Sequence, residues 1–123
     1  MYQDKYYRSW NGPFEFSSSK INNEAPAAFG VYQVLKKQGG NHQVMYIGIA
    51  TGEIIRQRLL SHYNGTGNKN IAAYGNTADL VFVFWLCDLI SARQIESFVI
   101  STEKPPFNIK NEHKHFIPNI TIH

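Results

Sequence analysis

Short apolar runs, separated by polar and glycine-rich stretches, divide the chain into strand-like and helix-like segments. Apolar and polar positions alternate over residues 31–36, and a second apolar run, VMYIG, covers residues 44–48. Alternation with a period of two predicts strands, and the KKQGGNHQ stretch between the runs has adjacent glycines that suit a tight turn. The pattern therefore predicts an antiparallel hairpin.

The centre of this turn decides which side chains face each other across the hairpin. If the turn is centred on Gly39, Tyr32 and Tyr46 lie directly opposite each other on one face. If it is centred between Gly39 and Gly40, the two tyrosines lie on opposite faces, because successive strand residues alternate. The sequence leaves both registers open.

The middle and the end of the chain predict two helices around a buried strand. Apolar residues recur at helical spacing over 53–63, and the NGTGNKN stretch ends that helix. The continuous apolar run 80–87 is typical of a central strand covered on both faces. A second helix follows with Ser91 as its N-cap and Gln94 three residues later, and it stops before Pro105.

These elements predict an α+β fold with a small antiparallel sheet of about three strands, flanked by helices. Residues 1–28 are interpreted as an amino-terminal extension, loop-rich or extended, with a short helical turn around 23–28. Residues 29–108 form the predicted domain, and residues 109–123 form a carboxy-terminal tail.

Length and composition limit the classes of protein. A chain of 123 residues builds one domain, and a formal charge of +3 is only a mild basic bias. The single cysteine, Cys87, excludes a disulfide within the chain, is expected to be a buried thiol, and favours a reducing compartment such as the cytoplasm. The amino terminus has no signal-like apolar segment and no run is long enough to cross a bilayer, so we expect no membrane partner.

Three positions on the two predicted helices are candidates for chemistry. Arg58 and His62 are four residues apart and therefore lie on one side of the first helix. Glu96 lies at the edge of the apolar stripe of the second helix, where a carboxylate that loses its solvation needs a cation.

With the hairpin, these residues resemble the GIY-YIG nuclease family. The first family motif corresponds to GVY, ending at Tyr32, and the second to YIG, from Tyr46 to Gly48. The family's catalytic arginine corresponds to Arg58 in RQRLLSHY, and the position four residues later, where members carry histidine or tyrosine, is His62. The glutamate and the asparagine that complete the motif set correspond to Glu96 and Asn108.

The resemblance implies a metal-dependent endonuclease that hydrolyses DNA phosphodiester bonds. Glu96 would bind Mg²⁺ or Mn²⁺, and Arg58 would hold the scissile phosphate and stabilise the transition state. Either tyrosine would act as general base, with Tyr46 preferred over Tyr32, and His62 is the third candidate. Gly48, Lys69 and Asn108 complete the expected substrate-binding set.

The chain departs from the family pattern at two places. Many members carry a lysine directly after the second motif, where this chain has Ile49, so the phosphate contact would come from Lys36, Lys37 or Lys69. The spacing from Tyr46 to the arginine is also slightly long. Arg56 would restore the shorter spacing, but Arg58 keeps the four-residue step to His62 and is preferred.

Several alternatives remain at the level of sequence. An inactive nucleic-acid-binding module with this fold is the main rival to the nuclease. A homodimer or two successive nicks would let one active site cut both strands, and a toxin domain would require an immunity partner. The amino-terminal cluster of aromatic and basic residues would either stack on bases or form a flap that packs on the sheet; it comprises Tyr2, Lys5, Tyr6, Tyr7, Arg8 and Trp10.

Overall fold

The structure, a computed structural model, describes residues 1–108, and the predicted tail 109–123 lies outside the described residues. A short 3₁₀ turn, Thr77–Asp79, precedes the last strand. The helices and strands are β1 (Tyr2–Gln3), β2 (Ser9–Glu15), α1 (Ser18–Glu24), β3 (Gly30–Gln38), β4 (Asn41–Ala50), α2 (Ile55–Asn64), α3 (Lys69–Tyr74), β5 (Leu80–Leu86) and α4 (Leu89–Glu103).

The strands form one antiparallel sheet in the order β1-β2-β5-β3-β4. The predicted fold class is confirmed, although the sheet has five strands within residues 1–108 rather than about three. The run from Leu80 forms the central strand, as predicted, because its successive side chains enter the cores on the two faces of the sheet.

The prediction for residues 1–28 is wrong in its details. Residues 9–15 form a full strand on β5, and the helix spans 18–24 instead of a turn at 23–28. The helix begins early because the Ser17 side chain accepts a hydrogen bond from the Lys20 N–H and caps it. Trp10 is fully buried and donates its indole N–H to Asp4 at 3.0 Å, so this part of the aromatic cluster packs as a flap.

The predicted β3–β4 hairpin is confirmed, with its turn centred between the two glycines. Gln38 pairs with Asn41 across Gly39 and Gly40. In a regular ladder this register would place the two motif tyrosines on opposite faces of the sheet.

A β-bulge at Met45 changes that outcome. One extra residue enters β4 at this point, so Tyr46 pairs with Val34 and Gly48 pairs with Tyr32. The tyrosines therefore share one face of the sheet, and they are diagonal neighbours rather than direct partners. Their shared face is called the tyrosine face below.

Helices cover both faces of the sheet. The first three helices pack on the tyrosine face, each contributing buried apolar residues to its core, namely Ile21, Ile55, Leu59 and Ile71. Helix α4 packs on the opposite face through Ala92 and Val99, and it contacts β3 and the edge strand β4.

The predicted start of the second long helix is wrong by three residues. Asp88, not Ser91, is the N-cap, and its carboxylate accepts a hydrogen bond from the Ser91 N–H at 2.7 Å. Leu89 and Ile90, which precede the predicted cap, form the exposed first turn of the helix. The predicted stop before Pro105 is confirmed, because Lys104 ends the helix in a left-handed conformation.

The structure bears on the expectations about membrane spans and about Cys87. Within residues 1–108, no helix is both long and apolar enough to cross a membrane. Cys87 is a free thiol that is half-buried rather than buried, and burial raises its pKa.

Candidate active site

The tyrosine face brings together side chains from three separate elements. Tyr32 from β3, Tyr46 from β4 and His62 from α2 form a cluster of three rings whose centroids lie 5.0 to 6.2 Å apart. All three residues are buried, and Tyr32 is fully so. The hairpin and the next helix therefore converge on one small polar centre inside an otherwise apolar core.

His62 has a defined tautomer. Its Nδ1 accepts a hydrogen bond from the Asn68 backbone N–H at 2.9 Å, and its Nε2 lies 2.8 Å from the Tyr32 hydroxyl oxygen. A neutral imidazole carries one proton, and a nitrogen that accepts from a backbone N–H cannot hold it. The proton is therefore on Nε2, and His62 donates to the oxygen of Tyr32.

Burial keeps this imidazole neutral. Loss of solvation and, to a smaller extent, the positive charge of Arg58 lower the pKa of His62 to about 4. The residue is only 2% exposed. At neutral pH His62 is therefore a hydrogen-bond donor and carries no charge.

Arg58 lies one helical turn before His62 and faces the same tyrosines. The pKa of its guanidinium is raised by the charge and hydrogen bonding of Tyr32 most of all, and also by Tyr46 and Glu53, whereas burial acts in the opposite direction. Its Nη1 lies 3.7 Å from the Glu53 carboxylate. Its Nε is buried and lacks a hydrogen-bond partner among residues 1–108.

Arg56, the alternative candidate, has a different environment. Its Nε donates to the Ala25 carbonyl at 2.9 Å and its backbone N–H donates to the Pro26 carbonyl. These bonds tie α2 to the end of α1. Of the two arginines, Arg58 is therefore the one directed at the ring cluster.

Gly48 makes room for the tyrosines. A Cβ atom at this position would lie 2.5 Å from the Tyr32 hydroxyl oxygen and 3.0 Å from Cε2 of Tyr46. Any side chain would therefore displace the hydroxyl group that His62 contacts. Steric contact with Tyr32 and Tyr46 thus explains why the second motif has a glycine at this position.

Asn108 contacts the backbone of β4. Its Oδ1 accepts from the Ile47 N–H and its Nδ2 donates to the Ile47 carbonyl, both at 3.0 Å. The neighbouring Phe107 N–H donates to the Met45 carbonyl at 2.8 Å. Asn108 thus acts like a strand residue on the exposed edge of β4, and it fixes the backbone between Tyr46 and Gly48.

The remaining predicted residues come from other parts of the fold. Glu96 is 7% exposed and lies on α4, the helix that covers the face opposite the tyrosines. Lys69 is exposed at the start of α3, and Lys37 is exposed on β3. Lys36 lies over the Tyr74 ring, with its Nζ 5.8 Å from the ring centroid.

The chemistry of the donor set is compatible with a hard divalent cation. Magnesium is commonly bound through one or two carboxylates, with water and substrate phosphate supplying the remaining oxygens. The side chains of residues 1–108 include no cluster of three or more potential protein ligands. A site built on the Glu96 carboxylate would accordingly be of this water-rich kind.

Sequence reasoning missed Gly67 and Asn68, which hold His62. A Cβ atom on Gly67 would lie 2.4 Å from Nδ1 of His62, and Asn68 supplies the N–H that bonds this nitrogen. Both residues are in the NGTGNKN stretch, which was interpreted only as the end of a helix. The second glycine and the asparagine, a good N-cap residue, were the available signal for a second turn.

A known family of catalytic domains matches most of the chain. The family model described as the GIY-YIG catalytic domain matches residues 28–111. No curated protein matches the chain.

Similar solved structures include the GIY-YIG N-terminal endonuclease domain of UvrC from Thermotoga maritima. The form bound to magnesium as its catalytic divalent cation is 28% identical, covering 74% of this chain and 93% of that chain with a TM-score of 0.54. An asparagine-to-alanine mutant bound to its catalytic cation is 28% identical over 75% and 93%, with a TM-score of 0.54. A tyrosine-to-phenylalanine mutant, also cation-bound, is 27% identical over 74% and 93%, with the same TM-score.

Proposed function

The chain belongs to the GIY-YIG catalytic domain family and is an endonuclease, and from this premise we propose that it hydrolyses DNA phosphodiester bonds with Tyr32 as general base. The observation that carries the proposal is the 2.8 Å contact between the Tyr32 oxygen and Nε2 of His62, with Arg58 beside it. A neutral donor and a fixed cation at one phenolic oxygen both favour the phenolate.

Tyr32 is the best of the three candidates for the base. His62 holds its proton on the nitrogen that faces Tyr32, so this nitrogen has no lone pair with which to accept another. Tyr46 packs edge-on against the His62 ring at 5.0 Å. In this scheme Tyr32 takes the proton of the attacking water, and Tyr46 orients water or phosphate.

Arg58 is the proposed phosphate ligand. It is directed at the ring cluster, and its buried Nε, which lacks a partner among the described residues, is a donor available to a phosphoryl oxygen. A guanidinium can bind two oxygens at once and stabilise the charge that grows on them in the transition state.

Glu96 is the proposed ligand of Mg²⁺ or Mn²⁺. When bound, such an ion stabilises the negative charge on the phosphoryl group and on the leaving 3′-oxygen. The similar UvrC domain binds magnesium as its catalytic cation, which supports magnesium for this chain.

The other predicted site residues take supporting roles in the proposal. Gly48 allows the close approach of Tyr32, and the backbone bonds of Asn108 to Ile47 support a positioning role rather than direct contact with DNA. Lys69, which is exposed, remains the proposed replacement for the missing motif lysine. Residues 1–28, 29–108 and 109–123 are kept as extension, nuclease domain and tail.

A plasmid assay tests the proposal. Purified protein is incubated with supercoiled plasmid in Mg²⁺, in Mn²⁺ or in EDTA, beside Glu96→Ala, Tyr32→Phe, Tyr46→Phe and the control Gly40→Ala, whose added Cβ atom has nothing within 4 Å. We expect nicked or linear DNA from the wild type and the control, in metal only. Loss of general-base catalysis should slow Tyr32→Phe by about 10²–10⁴-fold.

Each variant has a result that contradicts its assignment. Full cleavage by Glu96→Ala would remove it as the metal ligand. An unchanged rate for Tyr32→Phe with a slow Tyr46→Phe would transfer the role of base to Tyr46. DNA binding without cleavage in any metal would favour the inactive binding module. The same assay, repeated over a range of protein concentrations, distinguishes a homodimer from two successive nicks by one active site.

The setting of the enzyme is also a proposal. The half-buried single thiol is compatible with the reducing cytoplasm. Roles in restriction, repair, a mobile element or toxicity use the same chemistry, and an immunity protein belongs only to the last. Cleavage products that end at defined sequences would indicate restriction or a mobile element.

A further inference from the structure

The segment after α2 folds back onto the helix it has just left. The N–H groups of Thr66 and Gly67 both donate to the Ser61 carbonyl at 3.0 Å. Gly65 adopts the left-handed conformation that lets the chain reverse. The reversal lays the backbone of Gly67 and Asn68 against the edge of the His62 ring, where the Asn68 N–H meets Nδ1.

The approach at Gly67 leaves no space for a side chain. Besides its 2.4 Å distance to Nδ1, a Cβ atom there would lie 3.0 Å from Cε1 and 3.0 Å from the backbone nitrogen of His62. A larger residue must therefore move either the ring or the turn.

The side chain of Asn68 fixes the direction of its own N–H. Its Oδ1 accepts from the N–H groups of Asn70 and Ile71, both at 2.9 Å, and so caps α3. Its Nδ2 donates to the Phe107 carbonyl at 2.9 Å, and the Phe107 N–H is bonded to β4. The donor at Nδ1 of His62 is thus tied to a helix on one side and to the β4 edge on the other.

We infer that the Gly67–Asn68 turn fixes the tautomer of His62, and that Asn68 is a positioning residue for the general base. With Nδ1 occupied by a backbone N–H, the imidazole presents only Nε2–H to Tyr32. It remains a donor while the Tyr32 oxygen exists as phenolate, and it keeps its own proton when Tyr32 takes one from water. The catalytic part of this inference rests on the proposed function.

The ring has few other groups that could set its tautomer. The titratable or charged groups that face it are Tyr32 from β3, Tyr46 from β4 and Arg58 from its own helix. From the α3 side the contact is the uncharged Asn68 N–H. The backbone donor therefore decides which nitrogen is protonated.

NMR on protein labelled with ¹⁵N-histidine tests the inference without any need for activity. The His62 signals are assigned from their loss in His62→Gln. We expect the Nε2–H tautomer alone in the wild type and in the matched control Gly40→Ala, because nothing lies within 4 Å of a Cβ atom at residue 40. Gly67→Ala should give a mixture of tautomers. An Nδ1–H signal in the wild type, or an unchanged tautomer in folded Gly67→Ala, would overturn the inference.

Kinetics then separate positioning from simple stability. Asn68→Ala and Gly67→Ala should lower kcat, by up to about 100-fold if the ring moves by an ångström, while KM stays near the wild-type value. Asn68→Asp keeps the cap acceptor and should retain more activity than Asn68→Ala. Asn70→Ala, which removes only the 3.2 Å bond to the Phe107 carbonyl, should be near wild type. A kcat that depends only on the folded fraction would refute the positioning role.

A failure of the proposed function would be recognised separately. A wild type that cuts no nucleic acid but shows the Nε2–H tautomer contradicts the nuclease proposal and supports the tautomer assignment. A wild type that cuts DNA but shows the Nδ1–H tautomer supports the nuclease proposal and contradicts the tautomer assignment.

Discussion

The lowered pKa of His62 predicts how the stability of the fold depends on pH. In the unfolded chain the imidazole titrates near 6.5, and in the folded protein near 4. Between these pH values the His62 imidazole is protonated in the unfolded state but not in the folded state. The free energy of unfolding therefore falls as the pH is lowered through this window. Above about pH 7 both states are neutral at this residue, and the effect vanishes.

The size of the effect follows from the two pKa values. The whole difference corresponds to about 3 kcal/mol, reached only below pH 4. Between pH 7.5 and pH 5 the contribution of His62 to the loss of stability is about 2 kcal/mol. This is a large part of the 5–15 kcal/mol that stabilises a typical domain.

Urea unfolding measures this contribution, with His62→Gln as the comparison. Gln keeps a polar group of similar size that does not titrate, so the carboxylates and other histidines contribute alike to both proteins. We expect the wild type to lose about 2 kcal/mol more than the variant from pH 7.5 to pH 5. Equal losses in the two proteins would mean that His62 titrates normally, and that its ring is hydrated rather than enclosed.

Three further predictions concern neighbouring residues. Gly48→Ala should destabilise the fold by about 1–3 kcal/mol and lower cleavage by about 100-fold, because its Cβ atom would overlap Tyr32; Gly40→Ala is the control in both the urea and plasmid assays. Asn108→Ala should cost about 1–3 kcal/mol by leaving the Ile47 peptide unpaired, and a wild-type urea midpoint would contradict this. Arg58→Lys should slow cleavage by about 100-fold or more, whereas Arg56→Lys should alter only stability; equal rates for the two would disprove the choice of arginine.

Local patterns were sufficient for the elements that carry the motifs. The alternation in β3, the helical spacing in α2 and the apolar run of β5 each reflect burial within one element, which a short window of sequence records. Two of these elements, β3 and α2, together with β4 supply the ring cluster of Tyr32, Tyr46 and His62.

Features that depend on distant partners were not predictable in this way. Strand β2 contains Gly12 and Pro13, which read as a loop, but they lie where the register with β5 shifts between Asn11 and Phe14. Proline is tolerated at such an irregularity because no ladder hydrogen bond is required of it. The tertiary pairing with β5 therefore overrode the local signal.

The same distinction applies within the candidate site. Arg58 and His62 were identifiable because a four-residue step on a helix fixes their relation. The role of Asn68 was not identifiable, because its contacts reach across the fold to the Phe107 carbonyl as well as to His62. An asparagine after a glycine has no local pattern that distinguishes an ordinary cap from a residue that also bonds the ring of a distant histidine.

In the β3–β4 hairpin, one backbone irregularity determines whether Tyr32 and Tyr46 share a face of the sheet. The two registers considered from the sequence assume regular strands, and the turn between Gly39 and Gly40 belongs to the one that separates the tyrosines. The bulge at Met45 adds a residue between the turn and the motif, which returns Tyr46 to the face of Tyr32. The bulge also makes the two tyrosines diagonal neighbours and places Gly48 directly opposite Tyr32. Because Gly48 has no side chain, the Tyr32 hydroxyl has room to reach His62. The bulge and the glycine of the second motif therefore depend on each other. If Tyr32 paired directly with Tyr46, Gly48 would not lie opposite Tyr32 and would not have this steric role.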